Sequence, residues 1–369
     1  MNKNKKIMII AGEESGDMYA SNIINTLSKK NNYAFYGMGS YKMKKTKAEI
    51  LVDSSELSVV GVLEILKIYP KLLKSLKIIK NSIANIKPDL LILIDYQEFN
   101  MKLAKFAKKK GIKVLFYISP QIWAWRENRI NKIKNYIDEM AVIFPFETEY
   151  YKKFGVSSHY VGHPLIAEKL YQKNYKKNAA YIGFFPGSRI NEIKKHLPIV
   201  LNVIEKLHEK YPNEKFVVSR SNNIDVKIYN KFFSNKDYIS IISNENIYKT
   251  IDMCKIAVAA SGTITLQIAL KKIPMCMFYK LSMLSYFLAK FLVKIKFISL
   301  VNIILEKNVI KEFIQNKASS KNIFNEVKKI ISNDQYKNKL IRDLSLIEEK
   351  LSSNKYKFDI NDLIENMLK

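Results

Sequence analysis

The chain has 369 residues, 48% hydrophobic and 26% charged, a balance that excludes both an intrinsically disordered chain and a protein made mostly of membrane spans. Its formal net charge of +28, from 62 Lys and Arg against 34 Asp and Glu, would concentrate nucleic acid, anionic lipid or a phosphorylated substrate near its surface. Lysine dominates that excess in a sequence also dense in Ile and Asn, the usage of an AT-rich genome, and no recognition motif accompanies it, so no nucleic-acid partner is expected.

The elements alternate from the start. "KIMIIAG" precedes "DMYASNIINTLSKK", "DLLILID" precedes "FNMKLAKFAKKKG", "IKVLFYIS" precedes "ENRINKIKNYI", and "EMAVIFP" precedes "FETEYYKKFG". Short aliphatic runs followed by helical patterns are the rhythm of βαβ units on a parallel sheet. The apolar run Ile7 to Ala11 ends at a charged turn, too short for a secretory signal. Near "SSHYVGHPL" the pattern restarts, and a second series follows: "AYIGFFPGSR" before a long helix, then "KFVVSRS", "YISIIS", "KIAVAASGT" before "ITLQIALKKI", and "PMCMFYK". Two Rossmann-like α/β domains are predicted, residues 1–165 and 166–369, with the C-terminal helices free to pack on the first domain or on a partner chain.

Two stretches stand apart from this rhythm. Val59 to Ile83 and Leu281 to Leu305 are nearly continuous in apolar residues, but Lys67, Lys71 and Lys74 interrupt the first and Lys290, Lys294 and Lys296 the second. Neither offers the about 20 uninterrupted apolar residues of a span. A basic, aromatic-bearing amphipathic helix suits a membrane interface, and it equally suits docking on the protein's own sheet.

In parallel sheets chemistry gathers in the loops after the strands. In "AGEESGD" Gly12 and Gly16 let the chain turn sharply, Ser15 or Asp17 can cap the next helix, and Glu13 and Glu14 would repel an anion, so they face sugar hydroxyls or solvent. A plain strand-to-helix turn explains the same residues. Asp95 follows four aliphatic residues of a buried strand, where a carboxylate can serve as a general base or as a helix cap. "ISPQIWAWRENR" holds both tryptophans of the chain, Trp123 and Trp125, beside Arg126 and Arg129, a pairing suited to sugar or acyl chains with phosphate nearby. "FFPGSR" sets Gly187, Ser188 and Arg189 before a helix, and "AASGT" repeats the arrangement with Ser261, Gly262 and Thr263. Free amides at two helix starts point to a nucleoside diphosphate, while the lack of GxxxxGK[ST] disfavours a P-loop enzyme. Cys254 and Cys276 lie in separate segments without CxxC spacing, which suggests no disulfide and a reducing compartment. The four histidines, at 159, 163, 196 and 208, show no metal spacing, so neither metal nor cofactor is expected, and His163 in "VGHPL" reads as a structural residue.

Taken in order, "AGEESGD", "IDYQEFN", "SPQIWAWR", "VGHPL", "PGSRINEI", "SGTITLQIAL" and "SLVNIIL" resemble the lipid-A-disaccharide synthases over nearly the whole chain. The resemblance implies two facing Rossmann-like domains of the GT-B glycosyltransferase architecture and a metal-independent, inverting transfer. UDP-2,3-diacylglucosamine would be the donor and 2,3-diacylglucosamine 1-phosphate the acceptor, joined β-1,6 with release of UDP. It implies Asp95 as the base, Arg189 and Asn302 at the nucleotide, and work at the cytoplasmic face of the inner membrane. On this reading Gly187, Ser188, Arg189, Ser261, Gly262, Thr263, Gln267 and Asn302 bind the UDP-sugar. Gly12, Glu14, Ser15, Gly16, Trp123, Trp125 and Arg126 lie on the acceptor side, and a single chain or a homodimer could carry the activity.

Three positions depart from the family pattern. Glu98 replaces an aspartate in "YQEF", Val301 replaces the proline before Asn302, and Gln267 stands where a ribose-binding glutamate is usual. A related sugar-nucleotide epimerase or N-acetylglucosaminyltransferase would share the two-domain plan, and a membrane-binding module with a vestigial nucleotide site would bind UDP without turnover.

Overall fold

The computed structural model describes residues 4–30, 33–57, 62–120, 122–125, 129–167, 169–172, 179–222, 224–243, 245–280, 296–352 and 358–369. The chain divides into two compact units, Met1–Pro164 with Ser353–Lys369, and Leu165–Ser352.

The first unit is built on seven parallel strands: β1 (Lys6–Ala11), β2 (Ala34–Gly39), β3 (Glu49–Asp53), β4 (Leu90–Ile94), β5 (Lys113–Tyr117), β6 (Glu139–Val142) and β7 (Ser158–Tyr160). Their order is β3-β2-β1-β4-β5-β6-β7. All five residues of β4, "LLILI", are buried, as a strand must be when helices cover both faces of its sheet. Alternate side chains feed two cores. Met8, Ile10, Leu91, Leu93 and Phe116 enter one, and Ile7, Ile9, Leu90, Ile92 and Leu115 the other, the period of two that a pleated strand imposes.

The C-terminal helix Ile360–Leu368 completes that second core through Leu363, Ile364, Met367 and Leu368, beside Ile23, Ile24 and Leu27 of the helix Glu14–Lys30. Lys113 Nζ donates to the Met367 carbonyl at 2.6 Å and fixes the end of that helix. On the other face, the helix Val62–Ile86 buries Leu76, Ile79 and Ile83. Of the two basic apolar stretches, which suit a membrane interface or the protein's own sheet equally, this one docks on the sheet through those residues, yet it leaves Tyr69 (49%) and Leu73 (45%) exposed. Residues 281–295 of the other stretch lie outside the described residues. Among the described residues no helix is long and apolar enough to cross a membrane.

The second unit carries β8 (Tyr181–Phe185), β9 (Lys215–Arg220), β10 (Ile239–Ser243), β11 (Cys254–Ala260), β12 (Met275–Tyr279) and β13 (Glu312–Ile314). They are parallel in the order β10-β9-β8-β11-β12-β13, the Rossmann order. The helix Ile190–Lys210 turns Ile193, Leu197, Val200 and Ile204 inward, and Ser320–Ser332 turns Ile323, Val327 and Ile330 inward, each an apolar stripe at helical spacing. Both cysteines are buried and free.

Candidate functional site

In each sheet the strand order reverses once beside the first strand, between β1 and β4 and between β8 and β11. A loop leaving such a pair of strands has no neighbouring crossover above it, so a crevice opens there for a ligand. The glycine turn at Gly12 and the Asp95 loop leave β1 and β4; the Gly187 and Gly262 loops leave β8 and β11.

At the first switch point Asp95 and Tyr96 are both left-handed, with φ of 48° and 40°. Two successive non-glycine residues in that region are strained, and the buried Asn100 holds them. Its Nδ2 donates to the Ile94 carbonyl at 3.1 Å and to the Asp95 carbonyl at 2.7 Å. Tyr96, not Asp95, occupies the N-cap of the next helix, Gln97–Lys109, and no side chain caps it. Burial raises its proton affinity to about 6, and the negative charge of Glu13 adds to the shift. Asp17 has another task than capping. The helix begins at Glu14, and the Asp17 carboxylate accepts from Ser40 N (2.6 Å), Lys42 N (2.8 Å) and Met43 N (3.2 Å), securing the turn after β2.

The tryptophan segment starts just beyond β5. Ile118 is left-handed at φ 65°, costly for a β-branched residue, and its amide is tied to the Ala141 carbonyl at 3.0 Å. Trp123 is half-buried, packs edge-on against Phe146 with centroids 5.0 Å apart, and donates from Nε1 to Glu147 at 3.1 Å. Arg129 pairs with Glu98, the position at which the sequence departs from the family aspartate. His163 is buried against Phe144 at 5.3 Å, and desolvation pushes its proton affinity down to about 4, so it is a neutral packing residue. The side chains of Glu14 and Trp125, and the whole of Arg126, lie outside the described residues.

At the second switch point Gly187 (φ 110°) and Gly262 (φ 138°) hold conformations that L side chains rarely adopt. A Cβ on Gly187 would stand 2.8 Å from Glu192 Oε2. Ser188 and Arg189 are exposed at the start of the helix Ile190–Lys210, and Thr263 is exposed at the start of Thr263–Leu270, with Ser261 and Gln267 half-buried beside it. Each of these helix starts follows a strand end at the switch point and carries backbone amides, and Arg189 adds an exposed guanidinium, groups of the kind that can donate to an anion.

Glu192 orders this surface. Its Oε1 accepts from Tyr279 Oη at 2.7 Å and lies 3.4 Å from Arg189 Nη1. Beneath it, fully buried His196 bridges two loops. Nδ1 faces the Pro186 carbonyl at 2.7 Å and Nε2 faces the Lys280 amide at 3.1 Å, which demands the neutral ring protonated on Nδ1. Desolvation lowers its proton affinity and keeps it so.

Asn302 is the residue whose placement differs most from the sequence reading. It is fully buried. Its Nδ2 donates to the Ile310 carbonyl (2.9 Å) and Glu312 Oε1 (2.8 Å), and its Oδ1 accepts from Val309 N (2.9 Å) and Ile310 N (3.0 Å). Both donors and both lone pairs are used, so the amide shapes the 307–312 turn and has no hydrogen bond left for a nucleotide. Sequence reasoning assigns no role to Asn100, Glu147 or Glu192, and reads His196 only as a histidine without metal spacing. Asn100, Glu147 and His196 are buried and Glu192 partly so, each bonded to a loop that leaves a strand, and the sequence signal is its short distance from a strand end. Among the described residues no three His, Cys, Asp or Glu side chains are grouped to hold a metal ion.

Comparison with known proteins agrees with the motif resemblance. The model of the lipid-A-disaccharide synthetase family matches residues 7–361. The chain is 36% identical over 360 residues to a lipid-A-disaccharide synthase of Geobacter metallireducens, covering 95% of this chain and 94% of that one. It is 35% identical over 375 residues to a protein of the same name from Coxiella burnetii, covering 99% of each. Solved structures share the fold at low identity. The UDP-GlcNAc 2-epimerase of Neisseria meningitidis bound to UDP-GlcNAc superposes with a TM-score of 0.65 at 12% identity, over 98% of this chain and 99% of that one. The glycosyltransferase of kitacinnamycin gives 0.68 at 12% identity over 100% of each.

Proposed function

The chain belongs to the lipid-A-disaccharide synthase family, and from that premise we propose that Asp95 is the base of its sugar transfer. The enzyme is a UDP-sugar-dependent, inverting glycosyltransferase of lipid A biosynthesis. Diacylglucosamine passes from its UDP-linked donor to diacylglucosamine 1-phosphate, forming a β-1,6 disaccharide and releasing UDP. In this reading the acceptor's 6-hydroxyl oxygen bonds to C1 of the donor sugar on the face opposite UDP. Its proton passes to the Asp95 carboxylate, and the electron pair of the breaking C1–O bond leaves on the β-phosphate.

The observation that carries the reading is Asp95 itself, a carboxyl at a switch-point loop whose proton affinity is raised to about 6 by burial and by Glu13. A carboxylate so tuned is still ionised at neutral pH and is a stronger base than an exposed aspartate. Charge accumulating on the departing UDP would be met by Arg189 and the amides at Ser188, Ser261, Gly262 and Thr263, in fixed positions that need no reorganisation. Gln267 would face the ribose. Asn302 would act through the turn it shapes. Gly12, Ser15, Gly16, Trp123 and Trp125, with Glu14 and Arg126, would line the acceptor side.

The same reading gives the exposed Tyr69 and Leu73 a purpose. They alternate with Lys71, Lys74 and Lys77 on one helix, a pattern that suits shallow contact with anionic lipid, and both substrates are acylated. The enzyme would therefore work from the cytoplasmic face of the inner membrane.

The test is incubation with both acylated substrates in detergent micelles, with mass spectrometry of the lipid product, beside a control with UDP-N-acetylglucosamine alone. Disaccharide in the first and no change in the second is the expected result. An epimerised sugar nucleotide in the control would move the protein to the epimerases.

A further inference from the structure

Glu147 is used by nothing in the reaction as described, yet it is 1% exposed and lies in the helix Pro145–Lys153 directly behind the tryptophan segment. One carboxylate oxygen, Oε1, accepts from Ser119 Oγ and from Trp123 Nε1; the other, Oε2, accepts from Phe144 N at 3.1 Å. Among the described residues its hydrogen-bond partners are neutral donors. A carboxyl kept in such a place costs stability that a hydrophobic residue would not, and desolvation pushes its proton affinity up to about 7.

The contact with the Phe144 amide is the glutamate half of a capping box, Phe144 having no side-chain acceptor to return it, and explains one oxygen. The other oxygen reaches across to a different loop. That loop begins at the strained Ile118 and contains the proline whose carbonyl accepts from Tyr151 Oη at 3.2 Å. Ser119 and Trp123, on either side of Pro120 and Ile122, are thus pinned to one oxygen atom.

We propose that Glu147 is a positioning residue of the transfer site, whose buried carboxyl holds Ser119 and the Trp123 indole so that the strained loop after β5 presents its aromatic face to the acceptor sugar. This rests on Trp123 being an acceptor-side residue. The arrangement is directional. An indole N–H and a hydroxyl both donate, so they need an acceptor with spare lone pairs, and a carboxylate offers those on one oxygen while its other oxygen serves the helix start. A glutamine of the same shape cannot serve both sides, because its NH2 group must face donors on one of them.

The test compares Glu147→Gln, Trp123→Phe and the double variant in steady-state kinetics. It adds indole fluorescence of Glu147→Gln in a Trp125→Phe background used only for spectroscopy, where Trp123 is the sole emitter. Glu147→Gln should raise the acceptor KM by roughly tenfold, the equivalent of one charge-assisted hydrogen bond, and leave the donor KM unchanged. Its effect and that of Trp123→Phe should be strongly non-additive. Trp123 emission should shift to the red with lower anisotropy. A purely structural capping role would lower Tm while leaving both KM values and the emission in place, and that result overturns the proposal. If Trp123→Phe raises the acceptor KM and Glu147→Gln does not, the positioning role falls and the acceptor-side reading of Trp123 stands. If Trp123→Phe itself leaves the acceptor KM unchanged, the acceptor-side reading falls, and this role with it, whatever the fluorescence shows.

Discussion

The ring of Tyr96 lies where a side chain on Gly12 would have to go: a Cβ built on Gly12 falls well inside van der Waals contact of three Tyr96 ring carbons. The two loops of the first switch point are thereby interlocked, the glycine turn after β1 accommodating the residue next to Asp95. Gly12→Ala should push Tyr96 aside and disturb the left-handed pair at 95 and 96. The expected outcome is a fall in kcat of about 10²-fold, the scale for a misplaced catalytic group, with UDP affinity unchanged by titration. Full activity in the alanine variant would show that the interlock has no bearing on the base.

The proton affinity of Asp95 sets a pH dependence. With the carboxyl raised to about 6, kcat/KM should climb with pH through that value and level off above it, since only the ionised form accepts a proton. Glu13 raises the value by repulsion, so Glu13→Gln should move the acid limb to lower pH. A limb that stays in place, or moves up, would remove Glu13 from the account.

Asn302 offers a test of structural against direct action. Asn302→Ala takes the side-chain partner from the buried amide and carbonyl of Ile310, each costing about 1–3 kcal/mol, while the Val309 amide keeps the Lys307 carbonyl at 2.9 Å, so Tm should fall by roughly 5–10 °C for a unit of this size. UDP affinity should drop only together with that destabilisation. A variant with its Tm intact and UDP binding lost would show the amide turned to the nucleotide.

Gln267 makes a prediction in the opposite direction. A carboxylate accepts from ribose hydroxyls with charge assistance that an amide lacks, worth about 1.5–3 kcal/mol against about 1 for a neutral bond. Gln267→Glu should therefore tighten UDP binding by roughly tenfold in calorimetric titration. Equal affinity in the two proteins would place position 267 away from the ribose.

Much of this was legible in the sequence, for physical reasons that also explain what was not. Central strands buried on both faces, such as β4 with "LLILI", announce themselves as aliphatic runs. The strands β2 and β3 did not. β2 reads "AFYGMG", and Gly37 is required there because a Cβ would land on the Ile9 carbonyl oxygen, so close strand approach is written in glycine rather than in β-branched residues. The proposed site residues at loop tips, Asp95, Arg189 and Thr263 among them, were picked out by their place just after strand ends. Their supports were not. Glu147 and His196 act through partners distant in sequence, Glu147 with Ser119 and His196 with Lys280, and no spacing rule anticipates such a pair. Asn100 reaches only five and six residues back, to Asp95 and Ile94, but its role depends on the left-handed turn that the sequence does not announce. The motif resemblance points Asn302 toward the nucleotide, while its amide hydrogen-bonds the 309–312 segment, because a motif match gives the residue type and not the direction of its side chain.

The most direct measurement is turnover of wild type beside Asp95→Ala and Asp95→Asn, with UDP release and acylated disaccharide followed together in detergent micelles and UDP affinity titrated in parallel. The account predicts UDP and disaccharide in equal amounts from wild type. It predicts a loss of about 10²–10⁴-fold in kcat for both variants, the worth of a general base, with unaltered UDP affinity. Disaccharide formation that survives loss of the Asp95 carboxyl, or UDP release without disaccharide in wild type, would contradict it.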